Sequence, residues 1–222
     1  MPADSGPCVL ITGINEPVGE VLGHVFASHG WFVIGCDAGR ITSRFSRAQV
    51  SADLTDVESY RRALGRAAQL GNGIDLIVNC SAVPVLDAKG PSFIGAAAEP
   101  FLAETHGCIV NLVGMDAGVH HDHDEISAAT RILDELVASR GVRVNTLAPN
   151  VIDGPPTDAA PYTGSDADEF LAHLTVEDRN VEDRSAQAPL SIFEIADAVW
   201  LLATTKNSHG ITMAASDGHQ HA

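Results

Sequence analysis

The stretch VLITGINEPVGEVLGHVFASHGWFVIGCD, residues 9–37, decides how this chain is read. An apolar run breaks at Gly13, a helical stretch follows, and a second apolar run ends in Asp37. Near-continuous apolarity, rather than alternation, suits strands covered on both faces. Gly13 permits a tight turn and Gly19 permits close approach of helix to strand. The helix that begins between them offers free N–H groups and the positive end of its dipole to a phosphate. Asp37 closes the second run, where a carboxylate can accept hydrogen bonds from a ribose and would repel a 2′-phosphate.

The same alternation continues outward. Strand candidates fall at 8–12, 31–37, 74–80, 108–113, 142–148 and 211–216, and helical candidates near 18–29, 56–70, 92–105, 125–140 and 192–204. Thr55 or Asp56 is placed to cap the second helix and Ser191 the last. Repeated strand–helix–strand order predicts an α/β fold: a Rossmann-like, doubly wound parallel sheet between two helical layers. With 222 residues, 1–222 reads as a single domain. The exception to the rhythm is 151–190, rich in Pro, Gly and Asp, which reads as a lid or substrate loop.

Composition narrows the partners. A net charge of −16 argues against nucleic acid and against an anionic membrane surface. No apolar run reaches the roughly 20 residues that span a bilayer. Residues 1–13 lead straight into a strand with no signal-like h-region, so a cytoplasmic protein is expected. Cys8, Cys36, Cys80 and Cys108 show no Cys-x-x-Cys spacing and read as small buried hydrophobes in a reducing compartment.

Five further segments carry a resemblance: TGINEPVG (12–19), ADLTD (52–56), NCSA (79–82), IVNLVG (109–114) and RVNTLAPN (143–150), with ITMAASDGHQ (211–220) closing the chain. In this order and spacing they resemble the short-chain dehydrogenase/reductase family over nearly the whole length. The resemblance implies an NAD site built from Gly13, Ile14, Gly19 and Asp37, with Asp53, Leu54 and Asn79 completing the adenosine end. It also implies an oligomer that pairs through the helices near 92–105 and 125–140.

In that family a tetrad of Asn, Ser, Tyr and Lys moves the proton and hydride. Here the corresponding positions are about Ser92, Gly114 or Val113, Ile126 and Thr130. Isoleucine has no proton to give, threonine has no charge to lower a neighbour's pKa, and glycine has no hydroxyl for an oxyanion. Pro17 replaces the middle glycine of the turn, and Asn150 and Gly154 stand where the family has Gly and Thr. Tyr162, in the 151–190 segment, is a remote substitute for the lost acid. Standard carbonyl reduction is not expected, and these losses leave NAD binding open.

Directly ahead of the altered helix lies GVHHDHDEIS (118–127). His120, His121 and His123 could serve as acid/base groups oriented by neighbouring carboxylates. His121 and His123 could also bind a metal, although no metal is favoured. The plainer alternative is a solvated loop in which Asp122 or Asp124 caps the helix. His219 and His221 in the tail are candidates to approach the same region.

Two functions stay open. One is a divergent enzyme acting on a small neutral oxygenated or carbonyl substrate by His-assisted proton transfer, such as isomerisation, elimination or cyclisation. The other is a catalytically inactive subunit that pairs with an active paralogue; homo-oligomers are the alternative assembly.

Overall fold

A computed structural model describes residues 6–80, 97–113, 123–149 and 192–214. They form one seven-stranded sheet in which every adjacent pair of strands is parallel. In chain order the elements are β1 (Cys8–Thr12), α1 (Pro17–Ser28), β2 (Phe32–Asp37), β3 (Ala48–Ser51), α2 (Val57–Gly71) and β4 (Leu76–Asn79). Residues 97–102 are helical and are called α3. There follow β5 (Cys108–Leu112), α4 (His123–Ala138), β6 (Arg143–Ala148), α5 (Ile192–Thr204) and β7 (Thr212–Ala214).

The strand order β3-β2-β1-β4-β5-β6-β7 reverses direction between β1 and β4. A ligand crevice opens at such a reversal, outside the carboxyl ends of the strands. The chain therefore has the Rossmann-like α/β fold expected of it. One element was not expected: β3, residues 48–51, pairs only with β2 and buries only Val50 among its four side chains.

Two apolar layers hold the sheet. On one face Leu10, Ile77, Ile109 and Val144 pack with Leu64 of α2, Leu102 of α3 and Leu133 of α4. On the other, Val9, Val78 and Val110 pack with Leu22 and Phe26 of α1 and with Ile195 and Val199 of α5. Asp56 caps α2, its Oδ1 accepting from the Glu58 N–H at 3.1 Å, which decides between the two caps expected there. Ser191 lies outside the described residues. Arg143 ties α5 to the sheet: its guanidinium donates to the carbonyls of Ala203 and Thr205 and to the Ser208 hydroxyl, each at 2.9 Å. A cation at a helix C-terminus, with its planar donors on orphan carbonyls, satisfies both charge and hydrogen bonding there.

All four cysteines are free and buried, as their apolar surroundings led us to expect.

Candidate active site

The residues expected at the adenosine end line one edge of the sheet. Gly13 and Ile14 follow β1, Asp37 ends β2, Asp53 and Leu54 follow β3, and Asn79 ends β4. It is β3, unforeseen from the sequence, that sets Asp53 and Leu54 beside Asp37, through the register Asp37↔Ser51.

The glycines behave as their positions require. Gly13 has φ +62, a conformation in which a Cβ would be strained, and its N–H donates to the Cys36 carbonyl at 3.0 Å. A Cβ on Gly19 would stand 2.2 Å from the Gly13 carbonyl oxygen, so the helix approaches the turn closely only because Cβ is missing.

The carboxylates are already engaged. Asp53 Oδ1 accepts from the Thr55 hydroxyl at 2.7 Å and the Thr55 N–H at 2.9 Å. Those two bonds, the side-chain one first, hold its carboxyl below the ordinary carboxylate range. Asp37 Oδ2 accepts from Asn15 Nδ2 at 3.2 Å. Asn15 was not singled out in the sequence, yet its carboxamide joins the turn to the loop after β2. Its Nδ2 also donates to the Arg40 carbonyl at 3.0 Å, and its Oδ1 accepts from the Thr42 N–H at 2.9 Å and the Thr42 hydroxyl at 3.2 Å. An amide group has two N–H bonds to give and two lone pairs to receive, and this one uses them all.

At the start of α1, the Glu16 N–H donates to the Gly13 carbonyl and Pro17, the first helical residue, has no N–H. Glu16 is exposed at the cap, and Glu20 adds a second carboxylate to the first turn. Such carboxylates are favourable to the helix but hostile to a phosphate.

A row of polar side chains crosses the sheet near the same edge. Thr12, Asn79, Asn111 and Thr146 are in register on β1, β4, β5 and β6. They lie two residues beyond Leu10, Ile77, Ile109 and Val144, so they point to the α2, α3 and α4 side. Asn79 Nδ2 donates to Asn111 Oδ1 at 2.8 Å, both side chains being buried. Thr12 Oγ1 accepts from the Cys80 N–H at 3.3 Å.

Two of the positions that the resemblance assigns to catalysis lie among the described residues, and both are buried. Ile126 and Thr130, on α4, are each only 3% exposed. The Thr130 hydroxyl is 2.8 Å from the Ile126 carbonyl oxygen and 2.7 Å from the Thr146 hydroxyl. A hydroxyl carries one proton, so Thr130 donates to that carbonyl and accepts from Thr146. The pair fixes α4 to β6 and leaves no proton-active group at either position. Tyr60, one of the chain's two tyrosines, is a buried residue of α2, and burial raises its phenol well above the ordinary value. It is no substitute acid.

His123 is the first residue of α4. His120, His121, Ser92 and Gly114 lie outside the described residues. So do Asn150, Gly154, Tyr162, His219, His221 and the whole 151–190 segment. Among the described residues no group of three or more His, Cys, Asp or Glu side chains could hold a metal. None of the described helices is long and apolar enough to cross a membrane.

A dinucleotide fits these residues poorly. The turn meets a pyrophosphate with a proline and a carboxylate, the ribose-facing carboxylate is bridged by Asn15, and a buried threonine replaces the cation on α4.

No family model matches the chain. It is similar to the oxidoreductase UcpA of Salmonella typhimurium, 26% identical over 228 aligned positions that cover 86% of each protein. Among solved structures it resembles a ribose-5-phosphate isomerase from Brucella melitensis 16M, with TM-score 0.67 and 21% identity over 95% of this chain and 91% of that one. It also resembles a 3-ketoacyl-(acyl-carrier-protein) reductase from Brucella melitensis complexed with NADH, with TM-score 0.66 and 18% identity over 96% and 98%. One architecture thus serves a protein named an isomerase and one named a reductase, and the fold by itself fixes no reaction.

Proposed function

We propose, on the premise that this chain belongs to the short-chain dehydrogenase/reductase superfamily, that it catalyses proton transfer on a small neutral carbonyl or hydroxy-carbonyl compound and does not transfer hydride. The observation that carries this reading is the closed pair on α4: Ile126 buried and Thr130 with its one proton committed to a carbonyl. His123 opens that same helix, and His120 and His121 precede it by a few residues. A neutral imidazole can take the C–H proton next to a carbonyl, leaving an enolate, and the imidazolium returns it to the same carbon; where that carbon bears a hydroxyl, its O–H proton passes to the old carbonyl oxygen and the imidazolium returns its proton to the adjacent carbon. No electrons leave the substrate, so no oxidant or reductant is needed. The net charge of −16 disfavours an anionic substrate. Four free thiols accord with a reducing, cytoplasmic setting.

The test is solvent exchange. Small hydroxy-ketones and aldoses incubated with the protein in D2O should gain deuterium next to the carbonyl, as read by NMR. His120→Ala/His121→Ala/His123→Ala should lose that exchange. Exchange that survives in the triple variant would sink the reading, as would NADH-dependent carbonyl reduction by the unaltered protein.

A second reading has its own observation. Ile132 and Leu136 are each 57% exposed and sit one turn apart on α4. As part of a subunit interface they would suit a silent partner of an active paralogue. Sedimentation at micromolar concentrations distinguishes the cases: a stable homo-oligomer with exchange activity of its own excludes the silent-partner reading.

A further inference from the structure

We infer that the crevice of this chain is closed to the dinucleotide its fold ordinarily holds, with Asn15 as the principal bar at the ribose position. Three separate observations converge. The first is Asn15 itself, which spans from the β1–α1 turn to Asp37 Oδ2 at 3.2 Å and on to Arg40 and Thr42. A ribose seated between turn and carboxylate would have to break the Asn15–Asp37 bond, and that Nδ2–H would need a new partner. The second lies at the pyrophosphate position. Pro17 removes one backbone donor, the Glu16 N–H is turned inward onto the Gly13 carbonyl, and the exposed Glu16 stands at the helix N-terminus with Glu20 in the first turn. A pyrophosphate there would meet like charge and fewer donors. The third is at the far end, where Ile126 and Thr130 are buried and the Thr130 hydroxyl is tied to Ile126 and Thr146. No cation and no free donor faces a second ribose from these two positions.

The first two closures share the β1–α1 turn, at Asn15 and at Glu16 and Pro17, and the third stands apart in the middle of α4. Weak binding from any one could be tolerated by a protein that used the cofactor. All three together remove ribose, phosphate and cationic anchors at once.

Isothermal titration of the full chain with NAD, NADH, NADPH and ADP-ribose tests the inference. The expected result is no saturable heat up to about 5 mM of any of the four. The variant Asn15→Gly/Pro17→Gly, which frees Asp37 and restores a turn donor, should bind ADP-ribose at least about tenfold more tightly than the parent. Asn15→Ala alone should show part of that gain, and a thermal melt of each variant checks that it is folded. Saturable binding of NAD or NADH to the parent within that concentration range overturns the inference. So does a folded double variant that binds ADP-ribose no better than the parent. The inference goes beyond the proton-transfer reading and fails separately from it, because deuterium exchange is measured without any nucleotide present.

Discussion

The hydroxyl of Thr130, in the middle of α4, lies 2.7 Å from the hydroxyl of Thr146 on β6, and both side chains are buried. The pair occupies the position that the family resemblance assigns to a lysine, and it fixes α4 to β6. Thr130→Val should remove the link and leave the Ile126 carbonyl without its side-chain donor, lowering stability by about 1–3 kcal/mol in urea unfolding. Thr130→Val/Thr146→Val should cost less than the sum of the two single changes, since the interaction is lost only once. Thr130→Lys should lower stability further than Thr130→Val, because the ammonium enters a buried slot with no counter-charge among the groups bonded there. It should confer no reductase activity.

Arg143 predicts a second loss of stability, at the other side of the sheet. Its donors hold the carbonyls of Ala203 and Thr205 at the end of α5. Arg143→Ala should cost about 1.5–3 kcal/mol, the range for hydrogen bonds to a charged group. Arg143→Lys should recover only part of it, since an ammonium cannot reproduce the fork. Denaturant melts with an α5 reporter, the fluorescence of Trp200, would follow both global and local loss.

Two glycines should differ sharply. A methyl at Gly19 would meet the Gly13 carbonyl oxygen at 2.2 Å, whereas one at Gly39 would meet nothing within 4 Å. Gly19→Ala is expected to lose about 3 kcal/mol or to express poorly, because backbone rather than a flexible side chain must move. Gly39→Ala should stay within about 0.5 kcal/mol of the parent. Equal melting temperatures for the two variants would contradict the turn geometry.

Alkaline pH should unfold the protein earlier than its carboxylates alone would suggest. Burial pushes the thiols of Cys8 and Cys36 up to about 12 and that of Cys108 to about 11, with nearby Asp75 and Asp37 adding to the first two. Above roughly pH 8.5 the unfolded chain ionises these thiols while the folded chain keeps them protonated. The unfolded state then binds fewer protons, so stability is full below that pH and is lost as pH rises toward 11–12. The measurement is the urea midpoint between pH 7 and pH 10.5, paired with thiol labelling, which should be negligible in the folded protein at pH 8. Rapid labelling of all four cysteines under native conditions would contradict their burial.

Much of the fold was legible because buried parallel strands leave long apolar runs in the chain. β1 and α5 lie at their expected limits, 8–12 and 192–204. β3 was not legible. It is an edge strand with Gln49 and Ser51 exposed, so its four residues show no apolar run. The strand exists because β2 offers it an unpaired edge, and only the register Cys36↔Val50 reveals that. Asn15 was hidden for the same reason. Its partners are Asp37, Arg40 and Thr42, 22 to 27 residues away, and nothing in the local pattern of the turn reports a contact across that distance.

What the sequence determined by itself is the alternation of elements and the absence of the proton-carrying residues. Folding can move a side chain but cannot supply a phenol to Ile126 or an amine to Thr130. What only the tertiary structure decided is the use made of the residues that are present. Whether a threonine hydroxyl is free or committed, and whether an aspartate faces a ligand or an asparagine, depends on which distant segments the sheet brings within about 3 Å. Hydrogen bonds act at that range alone, so the partners of Thr130 and Asn15 were decided by packing and not by composition.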